Sequence, residues 1–261
     1  MSELIARLQA SLGAVAGLTR DSQRIGPYMA YVAPHRALKY LNWALPDRDA
    51  PADELAAALP ALIKHYRAHD RSPRIEHYEA ACPALVGVLE EAGWTLSERI
   101  PIMVCARDEL VVPPAVDGVV IEHVHADAPE SQVRGFMDAQ REAFEDTDPI
   151  TDEQVERWRE GADGDYCFAG LAEGDVVGTA IALRVALGVT EVAGVATRNA
   201  FRRRGIASAL TAASAAAAFA DGAELAYLTA ADDAAARIYT RAGFAKAGVA
   251  SGWDGPSSGS D

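Results

Sequence analysis

The chain has 261 residues, 50% hydrophobic and 24% charged, enough for a sizeable core in two small domains or one large one. Its net charge of −14 argues against nucleic acid or an anionic membrane as a partner, and suits either a cationic substrate or plain solubility. Cys82, Cys105 and Cys167 form no CxxC pair and no apolar run reaches transmembrane length, so no zinc site, disulfide framework or membrane span is indicated and a cytoplasmic location is expected.

The N-terminus reads as the start of an amphipathic helix over 3–16, striped by Leu4, Ile5, Leu8, Leu12 and Val15, and not as a signal peptide. Gly26-Pro27 marks a turn, and 28–32 and 38–45 read as strands. A helix over 53–69 carries Leu55, Leu59, Leu62, Ile63 and Tyr66, with Pro60 expected to kink or divide it. A strand at 74–79, a helix at 82–92 closed by Gly93 and one or two strands in 95–106 follow. Pro113-Pro114 lies in the best linker candidate. Beyond it come a strand at 119–124, helices at 129–144 and 151–159, and strands at 165–172, 176–186 and 190–197. Thr151 and Gln154 have the spacing of a capping box. A helix at 205–220, a strand at 225–230, a helix capped by Asp232 or Asp233 and stopped at Gly243, and a short strand at 244–251 complete the order. Residues 255–261 have the composition of a disordered tail.

The chain is organised around 192–210. An apolar strand interrupted by Gly194 runs into Arg202-Arg203-Arg204-Gly205 and then into an alanine-rich helix. A helix N-terminus offers unpaired backbone N–H groups and a partial positive charge, glycine lets an anion approach the backbone, and arginine forks suit phosphate oxygens. Arg202-x-x-Gly205-x-Ala207 resembles the Arg/Gln-x-x-Gly-x-Gly/Ala loop of the GCN5-related N-acetyltransferase (GNAT) family, which holds the pyrophosphate of acetyl-coenzyme A. The element order from Val119 onward is similar to that of the family's fold, except that its usual seventh strand must here be short, absent or supplied by another segment.

Ala92-Gly93-Trp94 and Ala242-Gly243-Phe244 stand 150 residues apart, and at that offset helix falls on helix and strand on strand. The fold class expected is therefore α/β (α+β), with two acetyltransferase-like domains, each a mixed, mostly antiparallel central sheet flanked by helices. The boundaries expected are a degenerate copy at 1–108, a linker at 109–117, an acetyltransferase domain at 118–254 and the tail at 255–261. In the first copy Ala52, Leu55, Ala57 and Leu89 replace Arg202, Gly205, Ala207 and Tyr239.

The resemblance implies roles for individual residues. Asp232-x-x-Ala235-x-x-Ile238-Tyr239-x-x-x-Gly243-Phe244 is similar to the family's Asn-x-x-Ala-x-x-Leu-Tyr-x-x-x-Gly-Phe, which makes Tyr239 the general acid toward the leaving thiolate. Asp232 stands where the family has a cofactor-contacting Asn. Gly194 marks a bulge or accommodates a large neighbour; in the family a bulge there splays two parallel strands around the cofactor's pantetheine arm. Val195, Ala196 and Thr197 are expected to face that arm, with a freed N–H polarising the acetyl carbonyl, and Arg202, Arg203, Arg204, Gly205, Ile206, Ala207 and Ser208 to hold the phosphates. Glu191 fits a base acting through water and equally a charge at a strand end; Glu122 and Asp165 are weaker candidates. The acidic residues of 142–153 fit an acidic wall at the acceptor site or a solvated face. His65 and His69 have the spacing of a metal pair without a third ligand, and His123 and His125 fit the acceptor pocket or an ordinary sheet edge. The expectation is an N-acetyltransferase using acetyl-CoA as co-substrate without metal, acting on a small-molecule or peptide amine by direct attack, as a monomer or homodimer; a non-catalytic acyl-CoA-binding or sensory module is the alternative.

Overall fold

The computed structural model describes residues 2–34, 39–143 and 149–256. Its contacts divide into two units, Met1–Ile102 with Ala247–Asp261, and Met103–Lys246. This division differs from the expected boundaries. The last strand from Ala247 on and the two described residues of the expected tail belong to the first unit, and residues 109–117 belong to the second. Within them the Val111 N–H donates to the Ala242 carbonyl at 3.1 Å, and just before them Arg107 donates to the Ala223 carbonyl at 2.9 Å. Gly255 and Pro256 likewise bond to Pro73 and Arg67, while residues 257–261 lie outside the described residues.

The first unit contains α1 (Ser2–Thr19), β1 (Asp21–Ile25), β2 (Tyr28–Val32), β3 (Trp43–Pro46), α2 (Ala52–Ala68), β4 (Arg74–Tyr78), α3 (Leu85–Glu91) and most of β5 (Thr95–Ala106). Its strand order is β1-β2-β3-β4, then β11 (Ala245–Asp254), then β5. β1 was not expected; it pairs with β2 through the hairpin at Gly26-Pro27, although all its residues but Ile25 are exposed. Of the strand expected over 38–45, only the part from Trp43 forms; 39–41 is a short 3₁₀ turn and Leu38 lies outside the described residues. α2 is continuous through Pro60, which sits with Ala56 on the exposed side, where solvent can satisfy the Ala56 carbonyl left without its donor. Its inner face buries Leu55, Leu59, Leu62 and Tyr66, worth about 2 kcal/mol each. β11 is held by antiparallel pairing with β4 and by Arg74, which is 1% exposed and bonds Glu76 at 2.8 Å, Asp254 at 2.7 Å, Ser97 at 2.8 Å and Glu98.

β3 and β4 run parallel but share one register position, Ala44 with Ile75. Continued by two residues, that register would bond the Tyr78 N–H to the Pro46 carbonyl. The buried Gln9 amide of α1 takes both places instead. Its Nε2 donates to the Pro46 carbonyl at 2.8 Å and its Oε1 accepts from the Tyr78 N–H at 2.8 Å.

The second unit contains β6 (Val120–His123), α4 (Glu130–Ala143), α5 (Asp152–Ala162), β7 (Tyr166–Ala172), β8 (Asp175–Ala182), β9 (Val189–Thr197), α6 (Ile206–Ala220), β10 (Leu225–Thr229) and α7 (Asp233–Arg241). The end of β5, from Met103, flanks β10, and the order continues β9-β8-β7-β6. The strand beside β10 is thus supplied by a segment from earlier in the chain. All pairs in this sheet whose registers are resolved are antiparallel except β9 with β10. The capping box at Thr151 and Gln154 forms as expected. α6 packs its alanines against a core that includes Val192, Ala226, Leu228, Ala236 and Phe244.

Candidate active site

The site grows from the middle of β9. Opposite β8, Thr179 pairs with Ala196 and Ile181 with Ala193, so Gly194 and Val195 together face Ala180: a bulge. Gly194 has φ +59, and a Cβ there would overlap the Gln140 Nε2. The backbone angle favours glycine, and any other residue would also have to displace the Gln140 amide. On the other side, pairing with β10 stops at Glu191 with Tyr227, three residues before the bulge. Val192–Thr197 therefore runs on beside β10 without a register partner, which opens the gap between the parallel strands.

β9 ends in a basic turn. Arg198 is anchored by Asp138 and Glu142, each at 2.7 Å, and by the Val176 carbonyl. The Asn199 N–H and the Arg198 guanidinium hold the Glu142 carboxyl below its ordinary range. Sequence reasoning missed this clamp, whose partners stand 56 and 60 residues away. Arg202 folds back onto the Thr197 carbonyl at 3.2 Å, and Arg204 lies over the Phe201 ring and reaches the Asp117 carbonyl. Arg203, at φ +65, is exposed and has no side-chain partner among the described residues.

Gly205, at φ +91, is the N-cap of α6 and has no side chain to close the helix end. The first intrahelical bond is from the Ala209 N–H to the Gly205 carbonyl, which leaves the N–H groups of Ile206, Ala207 and Ser208 without an intrahelical acceptor. In α5 and α7, by contrast, Thr151 and Asp232 cap the end. The buried Thr197 Oγ1 and Ser208 Oγ have no hydrogen-bond partner among the described residues. A buried polar atom left unpaired costs about 1–3 kcal/mol, and these two hydroxyls lie at the end of β9 and in the first turn of α6.

Tyr239 lies on α7. It packs on the same core as Val195, and its ring meets Phe244 edge-on at 6.5 Å. Burial, then the charge of Asp232, pushes its hydroxyl up from the ordinary tyrosine range, so the phenol stays protonated at neutral pH. Asp232 caps α7 through the Ala235 N–H at 2.7 Å. Glu191, half-buried, accepts from the Tyr227 hydroxyl at 3.1 Å at the closed end of the gap.

The weaker candidates fall elsewhere. Glu122, His123 and His125 are on or next to β6, the outer strand, separated from β9 by β7 and β8. His123 stacks on Phe168 at 4.9 Å, and its burial and the neighbouring His125 lower its pKa. Asp165 is engaged by Arg184 at 3.1 Å. Of the acidic residues of 142–153, Glu142, Asp152 and Glu153 each pair with an arginine, and Glu145, Asp146 and Asp148 lie outside the described residues. The His65 and His69 rings stand 4.5 Å apart at the C-terminal end of α2, and no group of three metal-binding side chains forms among the described residues. A cavity of about 820 Å³, walled by Glu122, Glu173, Arg198, Phe201 and Arg204 among others, shares only Arg204 with the expected loop.

Residues 133–244 match the family model described as acetyltransferase (GNAT) family. The chain carries a GNAT-family domain. Members of this family are acyltransferases. A GCN5-related N-acetyltransferase from Kribbella flavida is 28% identical, with a TM-score of 0.82 over 97% of this chain and 95% of its own. A GCN5-related N-acetyltransferase from Sphaerobacter thermophilus, 20% identical, shares the fold with a TM-score of 0.65 over 88% of this chain and 80% of its own. So does a tandem GNAT protein from the clavulanic acid biosynthesis pathway, 14% identical, with a TM-score of 0.65 over 90% of this chain and 79% of its own. No curated protein is significantly similar to the chain. The mixed, mostly antiparallel sheet flanked by helices is thus the GNAT fold.

Proposed function

We propose that the chain is an N-acetyltransferase that moves the acetyl group of acetyl-CoA to a primary amine of a small molecule or peptide, with the second unit as its working half. The observation that carries this reading is the conjunction of the splayed β9–β10 pair with the uncapped, arginine-flanked start of α6. The one offers an amide-bearing arm two strand edges; the other offers a diphosphate three N–H groups and guanidinium charge. The unpaired Thr197 and Ser208 hydroxyls fit such a ligand, and Gly205 has only Val116 Cγ2, at 3.9 Å, near the place of a Cβ.

Acetyl-CoA supplies the acyl group and leaves as the thiol. Overall the acetyl carbon exchanges its bond to sulfur for one to nitrogen, and a proton passes from nitrogen to sulfur. Val195, Ala196 and Thr197 align the arm; Arg202, Arg203, Arg204, Gly205, Ile206, Ala207 and Ser208 hold the phosphates. Tyr239, kept protonated, gives its proton to the departing sulfur, and Glu191 receives the amine proton through water. Asp232 acts as a helix cap, so the cofactor contact made by asparagine in the family is left out here.

The first unit is the degenerate copy in this reading. Gln9 occupies its strand gap, and the first turn of α2 carries Asp53 and Glu54, which repel a phosphate. The cytoplasmic expectation rests on Cys82, Cys105 and Cys167, all buried and free.

Calorimetric titration with acetyl-CoA tests the proposal. One site per chain, lost in Gly205→Glu, is expected. Two sites would refute the degenerate copy, and no binding would refute the acyltransferase reading. Binding without turnover over a panel of amines, unchanged by Tyr239→Phe, would instead mark an acyl-CoA-binding module.

A further inference from the structure

The bulge in β9 needs more than a glycine, because a glycine peptide is free to rotate. The Gly194 carbonyl accepts two side-chain hydrogen bonds, from Thr179 Oγ1 at 2.9 Å and from Gln140 Nε2 at 3.4 Å. Thr179 is fully buried on β8, and Gln140 is half-buried on α4. The Gly194 carbonyl and the Val195 N–H belong to one planar peptide group, in which they point in opposite directions. Holding the carbonyl toward Thr179 and Gln140 therefore aims the Val195 N–H away from both. β9 lies between β8 and β10, so that direction leads out on the β10 side, where pairing has ended at Glu191 and Tyr227. Neither register gives Val195 a partner residue.

We propose that Thr179 and Gln140 are positioning residues: together they lock the Gly194–Val195 peptide so that the Val195 N–H polarises the donor's thioester carbonyl. This rests on the acyl-CoA reading above. A preset donor contributes because it needs no reorientation when charge develops on the carbonyl oxygen. With the carbonyl unclamped, the peptide on the flexible side of Gly194 can turn, and the N–H loses its aim while the rest of the cofactor's contacts remain.

The experiment is infrared difference spectroscopy of acetyl-CoA labelled with ¹³C at the carbonyl, bound to the full chain, with affinity measured in parallel by calorimetry. The wild type is expected to shift the thioester stretch to lower frequency than in solution. Thr179→Val keeps the shape and removes the donor; it is expected to bind acetyl-CoA with unchanged stoichiometry and to return the band toward its solution position, and Thr179→Ser to restore the shift. Gln140→Leu, on the outer helix, is the second variant should Thr179→Val not fold, and is expected to lose a smaller part of the shift because its contact is longer. A shift that survives Thr179→Val or, where that variant does not fold, Gln140→Leu overturns the assignment, as does a wild type that binds acetyl-CoA with no shift. A wild type that binds no acetyl-CoA at all refutes the functional reading, and this assignment with it, on the calorimetric arm alone.

Discussion

Gln9→Met tests whether a side-chain amide stands in for a ladder bond in the first unit. Methionine matches glutamine closely in length and volume, so little packing is lost. What is lost is both hydrogen bonds, from Nε2 to the Pro46 carbonyl and from the Tyr78 N–H to Oε1. Gln9 is 4% exposed, and the two backbone groups would stay buried without partners. Each costs about 1–3 kcal/mol. Allowing for partial closure of the strands, a loss of about 3 kcal/mol is expected. Three of the four tryptophans, Trp43, Trp94 and Trp253, belong to the first unit, so the fluorescence change in urea reports mainly on it. The midpoint should fall while the slope holds. A Gln9→Met unfolding free energy within about 0.5 kcal/mol of wild type, the range of an indifferent surface change, would refute the reasoning. Gln9→Glu should cost more at neutral pH, since a carboxylate cannot donate to the Pro46 carbonyl.

The other predictions concern the site and one buried histidine. Gly205→Ala should weaken acetyl-CoA binding about tenfold or more, because alanine at φ +91 carries left-handed strain of about 1–3 kcal/mol and projects a methyl where the ligand must approach; equal affinity in calorimetry would count against the loop. Tyr239→Phe should bind acetyl-CoA normally and turn over about 10²-fold more slowly, and since burial raises the tyrosine's pKa, the wild-type rate should not fall through tyrosine ionisation as pH rises to the ordinary phenol range. His77 is 1% exposed, with Nδ1 3.2 Å from Ser251 Oγ, and burial lowers its pKa from 6.5 to about 4. The unfolded chain therefore takes up a proton that the folded one refuses: stability is full above about pH 6.5 and drains as pH falls toward 4. Between pH 7 and 5 wild type should lose about 2 kcal/mol more than His77→Gln in urea unfolding, and parallel losses would show that His77 is not the group responsible.

What the sequence revealed of this site was chemistry carried by near neighbours. The glycine in an apolar strand, the arginine triplet and the alanine-rich helix are adjacent in the chain, and each has a local conformational meaning that survives in the structure. β1 was not legible because Asp21–Ile25 has no apolar alternation; hairpin pairing to β2 alone makes it a strand. β11 was read too short for a related reason. Its far end carries glycines and Asp254, and it becomes a strand because Arg74 gathers Asp254, Glu76 and Glu98 across β4, β11 and β5. Neither that arginine nor Arg198 announces its partners locally, because the acids they bind come mostly from other strands and helices. From sequence alone Glu142 and Asp152 stay open between an acidic wall and a solvated face, because their arginine partners, Arg198 and Arg134, are likewise contributed by tertiary contacts.

The two units solve the same geometric problem in different ways. In each, two parallel strands part after a short paired stretch, leaving backbone groups that need partners. In the first unit α1 delivers Gln9 across the gap and bonds both edges. In the second, α4 delivers Gln140, but to the Gly194 carbonyl on the β8 side of the bulge. Joined there by Thr179, that amide leaves the β10 side open instead of bridging it. A glutamine on a packed helix thus bridges one gap and, at the other, bonds on the far side of the bulge. The bulge favours glycine at 194, since its φ is +59 and a Cβ there would displace the Gln140 amide. In the proposed reading the slot of the second unit depends on Thr179 and Gln140 together, and the first unit has its gap bridged by Gln9. An arginine loop beside the open slot and two carboxylates, Asp53 and Glu54, beside the closed one extend the same division to the phosphate end.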